Sequence, residues 1–345
     1  MKPLVPFAVV ALLTGCNPEF SNRSSRIDTP RVLGGQSIPA EVAPKGAVGY
    51  RILAVTSAGT QQNPRVDWAY CTQPKSVSES DDFSAACLGT GEQIQRIGSG
   101  SQVSAKIPAN ACAQFGPDIP ATKPGQPQAR PADADSTGGY FQPVMLTLRA
   151  EPDVQAFAET RLDCGLANSS IAQAQDFSNR SKPNENPELS DVVAVSLGSV
   201  SLSAEDAETP LEVSAGTAVL LRASWPECPA AASCGDGICS PSETVQNCPA
   251  DCTDPHGCGG AEPYAYLDPV SHELVDRHEA MRVSWFASDG EYTDDHTGRL
   301  EDEYTFLASD NTWTAPTTPG PVFLWVVLRD SRGGTNWKSF RLNVQ

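Results

Sequence analysis

The sequence predicts an all-β protein of two β-sandwich domains in tandem, the second carrying a small disulfide-rich insert. Three observations lead there: a turn-rich composition, an internal repeat of strand motifs, and cysteines crowded into one short stretch. The chain holds 27 Gly and 29 Pro in 345 residues, and only 19% of it is charged. Such a composition disfavours long helices and suits short strands joined by turns.

The N-terminus comes first. Lys2 supplies a minimal positive region, and Leu4 to Leu13 form an apolar run of about ten residues. That run is half of what a bilayer span needs and fits the apolar stretch of a signal peptide. It closes on Leu13-Thr14-Gly15-Cys16, which resembles the lipobox cut by the lipoprotein signal peptidase. Residues 1–15 are therefore expected to be removed and the Cys16 sulfur to carry diacylglycerol, with several acyl chains giving a lasting anchor. Asn17, being other than Asp, implies sorting to the outer membrane by resemblance to Gram-negative lipoproteins. Residues 16–30 are polar and without periodicity and are expected to form a flexible tether.

The first domain is expected over 31–180 and the second over 185–345, joined by a polar, Pro-punctuated link around 179–188. Glu41-Val42-Ala43-Pro44-Lys45-Gly46-Ala47-Val48 is echoed by Glu212-Val213-Ser214-Ala215-Gly216-Thr217-Ala218-Val219. Each copy leads into an apolar strand, Val48 to Val55 and Ala218 to Trp225. Val66-Asp67-Trp68-Ala69-Tyr70 is then echoed by Val283-Ser284-Trp285-Phe286-Ala287, and Pro143 to Arg149 by Pro321 to Arg329. One fold used twice would leave this order. In the first domain a Pro- and Gly-rich loop from Phe115 to Gly139 is long enough to need pinning, and Cys112 and Cys164 flank it. In the second, Val322 to Leu328 is apolar on both alternating faces, as a strand covered on both sides should be. Asp330-Ser331-Arg332-Gly333-Gly334 supplies turn chemistry, and Phe340, Leu342 and Val344 alternate inward on the returning strand. The segment Ser271 to Glu279 reads as a polar turn before the strand Met281 to Phe286.

Ten cysteines besides Cys16 are an even number in an exported chain, so five disulfides are expected: among Cys71, Cys87, Cys112, Cys164, Cys228, Cys258, Cys234, Cys248, Cys239 and Cys252. The insert spans 228–258. Its core, Cys234-Gly235-Asp236-Gly237-Ile238-Cys239 with Cys248 and Cys252, is too short to bury a core and must be ordered by cross-links, metal or both. Four cysteines allow three connectivities; Cys234–Cys248 with Cys239–Cys252 is the favoured one, with Cys228 and Cys258 closing the base. Zinc would need thiolates, which an oxidising compartment removes. Calcium takes hard oxygen ligands, and Asp236, Glu243 and Asp251 are the candidates. A pure disulfide knot with solvated acids is the other reading.

The pattern Cys-Gly-Asp-Gly-x-Cys with a following Glu and a terminal Asp-Cys resembles a small repeat of myxobacterial secreted proteins. Val66-Asp67-Trp68-Ala69-Tyr70-Cys71, Gly138-Gly139-Tyr140-Phe141-Gln142-Pro143, Asn184-Glu185-Asn186-Pro187, Val283-Ser284-Trp285-Phe286 and Trp325-Val326-Val327-Leu328-Arg329-Asp330 likewise resemble uncharacterised myxobacterial-type lipoproteins. That resemblance implies tandem Ig-like β-sandwich domains and a lipid anchor, with no activity to carry over. Cys71 lies three residues beyond Trp68, so the antibody-type inter-sheet disulfide about a core Trp is not evident.

No G-x-S-x-G elbow is present. His256, His272, His278 and His296 all fall in the last ninety residues; His272 and His278, six apart, are with Glu273 the conceivable metal ligands, though that stretch reads instead as a polar turn. The acids Asp289, Glu291, Asp294, Asp295, Glu301, Asp302 and Glu303 read as a solvated loop. A net charge of −18 argues against nucleic acid and anionic-lipid binding. The expectation is a non-enzymatic, lipid-anchored lipoprotein of the cell envelope that binds an envelope protein or glycan. The alternatives are a calcium-dependent adhesion component and a hydrolase of cell-surface polymers, which would need a carboxylate pair in a cleft.

Overall fold

The computed structural model describes residues 24–75, 83–88, 91–117, 139–167, 169–228, 234–235, 243, 245, 247–252 and 257–345. In the first half the strands are β1 (Arg31–Ile38), β2 (Glu41–Val42), β3 (Ala47–Thr56), β4 (Gly59–Thr60), β5 (Val66–Cys71), β6 (Ile94–Ser99), β7 (Gln102–Lys106), β8 (Gly139–Leu148) and β9 (Val154–Asp163). The second half holds β10 (Asp191–Ala194), β11 (Val200–Ser201), β12 (Leu211–Val213), β13 (Ala218–Ser224), β14 (Pro263–Leu267) and β15 (Leu274–His278). It closes with β16 (Met281–Ala287), β17 (Glu291–Tyr292), β18 (His296–Arg299), β19 (Ala308–Thr314), β20 (Gly320–Asp330) and β21 (Thr335–Val344).

The two halves repeat one topology. One sheet of the first half runs β2-β9-β8-β5-β6, and its counterpart in the second runs β12-β21-β20-β16-β18. The facing sheets join β1 and β7 to the two edges of β3, and β10 and β19 to those of β13. The repeated Glu-Val pairs have the same job: Glu41-Val42 lies parallel to Arg161-Leu162, and Glu212-Val213 parallel to Asn343-Val344. In both halves the central tryptophan is fully buried and its indole donates at the adjacent edge, Trp68 to Gly100 O just past β6 and Trp285 to Thr297 Oγ1 on β18. Strand alternation places the cores. On β21, Phe340, Leu342 and Val344 point inward while Arg341 and Asn343 do not, and on β13 Val219, Leu221 and Ala223 are the buried set. The strand order is that of an Ig-like sandwich, formed twice.

The halves are stacked face to face. Each has its own core, one around Trp68, Tyr70 and Leu146, the other around Trp285, Trp313 and Leu324. A third core lies between them: Ile27, Leu33, Leu53 and Val55 from the first half against Phe286, Trp325 and Val327 from the second. The molecule is therefore four sheets deep with three apolar layers. This explains why β20 is buried on both faces from Leu324 to Leu328, and why Leu53-Ala54-Val55 are buried in succession on β3: each of these strands separates two cores.

Two expectations need correction. The polar segment through residue 30 is not a free tether over its last part. Ile27 N donates to Ala287 O (2.9 Å), Ala287 N to Ser25 O (2.9 Å), and Ser24 Oγ to Asp295 (2.5 Å). Ile27 is completely buried, so a single apolar side chain in a polar run fixes the segment to the second half. The stretch Ser271 to Glu279 is not simply a turn either. Leu274–His278 is strand β15, paired residue for residue with β14, and Glu279 at its end is 1% exposed. The link near 180 is preceded by a helix, Ile171–Arg180, started by a Ser170–Gln173 capping box. The residues after it are packed: Asn184 and Leu189 are buried. Most of the expected loop between Phe115 and Gly139 lies outside the described residues. Among the described residues no helix is long and apolar enough to cross a membrane.

Candidate functional site

Cysteine pairs join Cys71 to Cys87, Cys112 to Cys164, Cys228 to Cys258 and Cys234 to Cys248. Cys252 is also disulfide-bonded; Cys239, like Cys16 and Asp236, lies outside the described residues. Cys71–Cys87 ties the end of β5 to the loop beyond it and does not bridge two sheets. In the insert, Asp251 is buried and accepts from Gly235 N at 2.5 Å, beside the Cys234–Cys248 bridge. The Cys234 and Cys248 sulfurs and an Asp251 oxygen lie within 4.8 Å of one another, but both sulfurs are committed to the bridge, which leaves one carboxylate as a metal ligand. Glu243 is buried elsewhere in the insert, where its carbonyl accepts from Lys182 Nζ at 3.0 Å. A calcium ligand set would therefore depend on Asp236.

The histidines are dispersed. His272 sits in the turn between β14 and β15, His278 stacks on Tyr304 at 3.7 Å, and His296 Nδ1 bonds Ser284 Oγ at 3.0 Å; His256 is outside the described residues. The acidic loop is largely engaged. Asp289 pairs with Arg26 (3.1 Å), Asp295 accepts from Ser24, Glu301 pairs with Arg277 (3.6 Å), and Glu303 caps Leu300 N (3.0 Å).

The densest charged cluster was not expected, and it sits where the halves meet. Arg332, in the β20–β21 turn, donates through Nε to Glu279 (2.6 Å), through Nη2 to Glu262 (2.9 Å) and through Nη1 to Lys182 O (3.2 Å). Asp330 accepts from Arg332 N and Gly334 N and faces the Asn184 amide. Asn184 N in turn donates to Glu41, which pairs with Arg161 at 3.0 Å. First half, link, insert base and closing turn are thus laced together. All of these side chains except that of Lys182 are buried or nearly so. One guanidinium cannot compensate three buried carboxylates, and burial raises all three above the usual carboxylate range, Glu262 to about 7. The Glu262 and Glu279 charges act the other way on Arg332 and hold it protonated. No local pattern could have announced this cluster, because its members come from segments far apart in sequence.

Two open clefts accompany it. One, about 490 Å³, lies on the outer face of β5, β6 and β8, lined by Asp67, Arg96, Thr147, Arg149, Asp153 and Gln155 among others. Arg149 there is paired with both Asp67 and Asp153. The other, about 630 Å³, lies between the halves, with β1 along it and Phe83, Phe141, Phe157, Lys75 and Arg329 on its walls.

No protein-family model matches the chain, and no curated protein is similar to it. Among solved structures, the D0-D1 domain of intimin aligns at 9% identity and a TM-score of 0.19, covering 90% of this chain and 98% of that one. The C-terminal domain of the Streptococcus pyogenes antigen I/II-family protein AspA aligns at 10% identity and 0.22, covering 92% and 100%. Latent PorU from Porphyromonas gingivalis aligns at 8% and 0.19; this chain spans 24% of its length.

Proposed function

We propose that the protein is a lipoprotein of the cell envelope, acylated at Cys16, that works as a non-catalytic binding module for an envelope protein or glycan. The stacking of the halves carries this reading. A shared apolar layer and a buried ionic cluster fix the loops of both sandwiches in one frame, and bridges at Cys71–Cys87, Cys112–Cys164 and Cys228–Cys258 hold long connections at their bases. A preorganised surface of this kind loses little on binding. Two flexibly joined sandwiches would have to be ordered first.

Palmitate labelling of cells producing the wild type and Cys16→Ser, followed by membrane fractionation, tests the anchor. Label and membrane recovery in the wild type, both lost in the variant, are expected. Label persisting in Cys16→Ser would overturn it. Purified Cys16→Ser protein should then be retained by isolated envelopes of the producing organism and released by excess unlabelled protein; unsaturable retention would count against a binding role. The calcium-dependent adhesion reading is proposed on Asp236, Glu243 and Asp251. It requires calcium to raise the melting temperature of EDTA-treated protein and Asp251→Asn to abolish that rise.

A further inference from the structure

Register identifies equivalent positions in the two halves. Trp68 pairs with Leu146 and Trp285 with Val326, so Arg149 and Arg329 occupy the same place, three residues further along β8 and β20. Asp67 and Ser284, each just before its tryptophan, are equivalent in the same way. In the first half Arg149 is exposed and paired with two acids. In the second, the acid position is Ser284, and Arg329 is largely buried with no carboxylate partner among the described residues: it donates to Leu33 O (2.7 Å) and Ser284 Oγ (3.3 Å). Its cross-strand neighbour is another cation, Arg282. Burial and that neighbour lower Arg329 to about 10. A guanidinium has five N–H donors, and bonds to the described residues engage two of them.

A buried cation without a counter-charge is costly unless something supplies one. Arg329 lines the 630 Å³ cleft, whose other cation is Lys75. Glu159, the one acid among the described residues of the wall, has an interaction of its own. The rest of the wall combines aromatic side chains with Thr335 and the backbone of β1, and it is shaped by close packing. Phe83 stacks on Phe157 at 4.3 Å, Gly333 takes φ +100° in the turn against Phe141, and a Cβ on Gly35 would lie 2.6 Å from that of Ala158.

We propose that this cleft binds an organic carboxylate on an aromatic or apolar body, with Arg329 holding the carboxylate, Lys75 reinforcing it and Phe83, Phe141 and Phe157 receiving the body. The ligand can be a free small acid or the C-terminus of a peptide ending in an aromatic residue. The site does not depend on the acyl anchor, so its failure and the failure of the envelope reading are distinguishable.

The test uses the full chain carrying Cys16→Ser. 4-Phenylbutyrate, its uncharged amide and N-acetyl-Phe-Phe as free acid are titrated by calorimetry and thermal shift. Saturable binding of a carboxylate at about 1 mM or tighter is expected, with the amide at least tenfold weaker. The small acid or the peptide binding better decides the source. Arg329→Gln should weaken binding about tenfold or more; should that variant fail to fold, Lys75→Gln, at a half-buried position, should still weaken it about threefold. Arg149→Gln, on the other face, should leave affinity unchanged. Absence of binding by both acids, equal binding of the amide, or full affinity in Lys75→Gln and Arg329→Gln would overturn the proposal.

Discussion

The outer faces of the two equivalent sheets have opposite chemistry. On β5 and β8 of the first half that face presents Asp67, Thr147 and Arg149 to a solvent-filled cleft. On β16 and β20 of the second, it presents Phe286, Trp325 and Val327, buried under β1 and β3. Equivalent backbone positions thus hold Met145 and Trp325, Thr147 and Val327, Ala69 and Phe286. Topology alone does not say which face of a sandwich becomes an interface. Side chains do, one register position at a time.

Removing the last ten residues should break this arrangement most. It deletes β21, which pairs with β20 along its length and holds β12, so the second half should lose its cooperative melt by calorimetry. Next is Trp325→Ala, which opens a cavity in the shared layer and should cost about 3–5 kcal/mol by urea denaturation. A cost near zero would mean that the halves do not pack through this layer.

The ionic cluster gives a pH test. Glu262 titrates higher in the folded chain than the ordinary glutamate value of the unfolded one, so the folded state keeps a proton that the unfolded state releases. Its penalty is absent below about pH 4.5, grows as the pH rises, and is complete above about 7. Stability should therefore fall across that window, by on the order of 3 kcal/mol from this group. Glu262→Gln should flatten the dependence of the melting temperature on pH between 5 and 7; an unchanged slope would place the titration elsewhere. The smallest effects come from exchanging equivalent residues. Val327→Thr buries a hydroxyl between sheets and should cost about 1–3 kcal/mol, whereas Thr147→Val on the open face should stay within about 0.5 kcal/mol. Equal costs would erase the distinction between the faces.

Much of each sandwich was legible in the sequence. The Glu-Val echo, the paired tryptophans and the alternation of Phe340, Leu342 and Val344 report strand-to-core relations that are local in sequence. The stacking was less visible. Val322 to Leu328 showed that something must cover both faces of β20, but two-sided apolarity carries no address for the cover, and Ile27 was one apolar residue in a polar run. The Glu262–Glu279–Asp330–Arg332 cluster left no trace, since each member alone looks like a surface residue near a turn. The sequence placed Asp330 and Arg332 in the closing turn, while their burial depends on how the link and insert fold over it.

The docking of residues 24–28 also has a mechanical meaning. Within the described residues, tension arriving from the N-terminus meets the Ser24–Asp295 bond and the parallel contact of Arg26 with Ala287 before it meets β1. Load is therefore shared between both sandwiches at their seam and does not peel the first strand from its sheet. Substituting Ile27 with Asp should convert that shared grip into a single weak attachment, visible as a lower rupture force when the chain is stretched from its N-terminus.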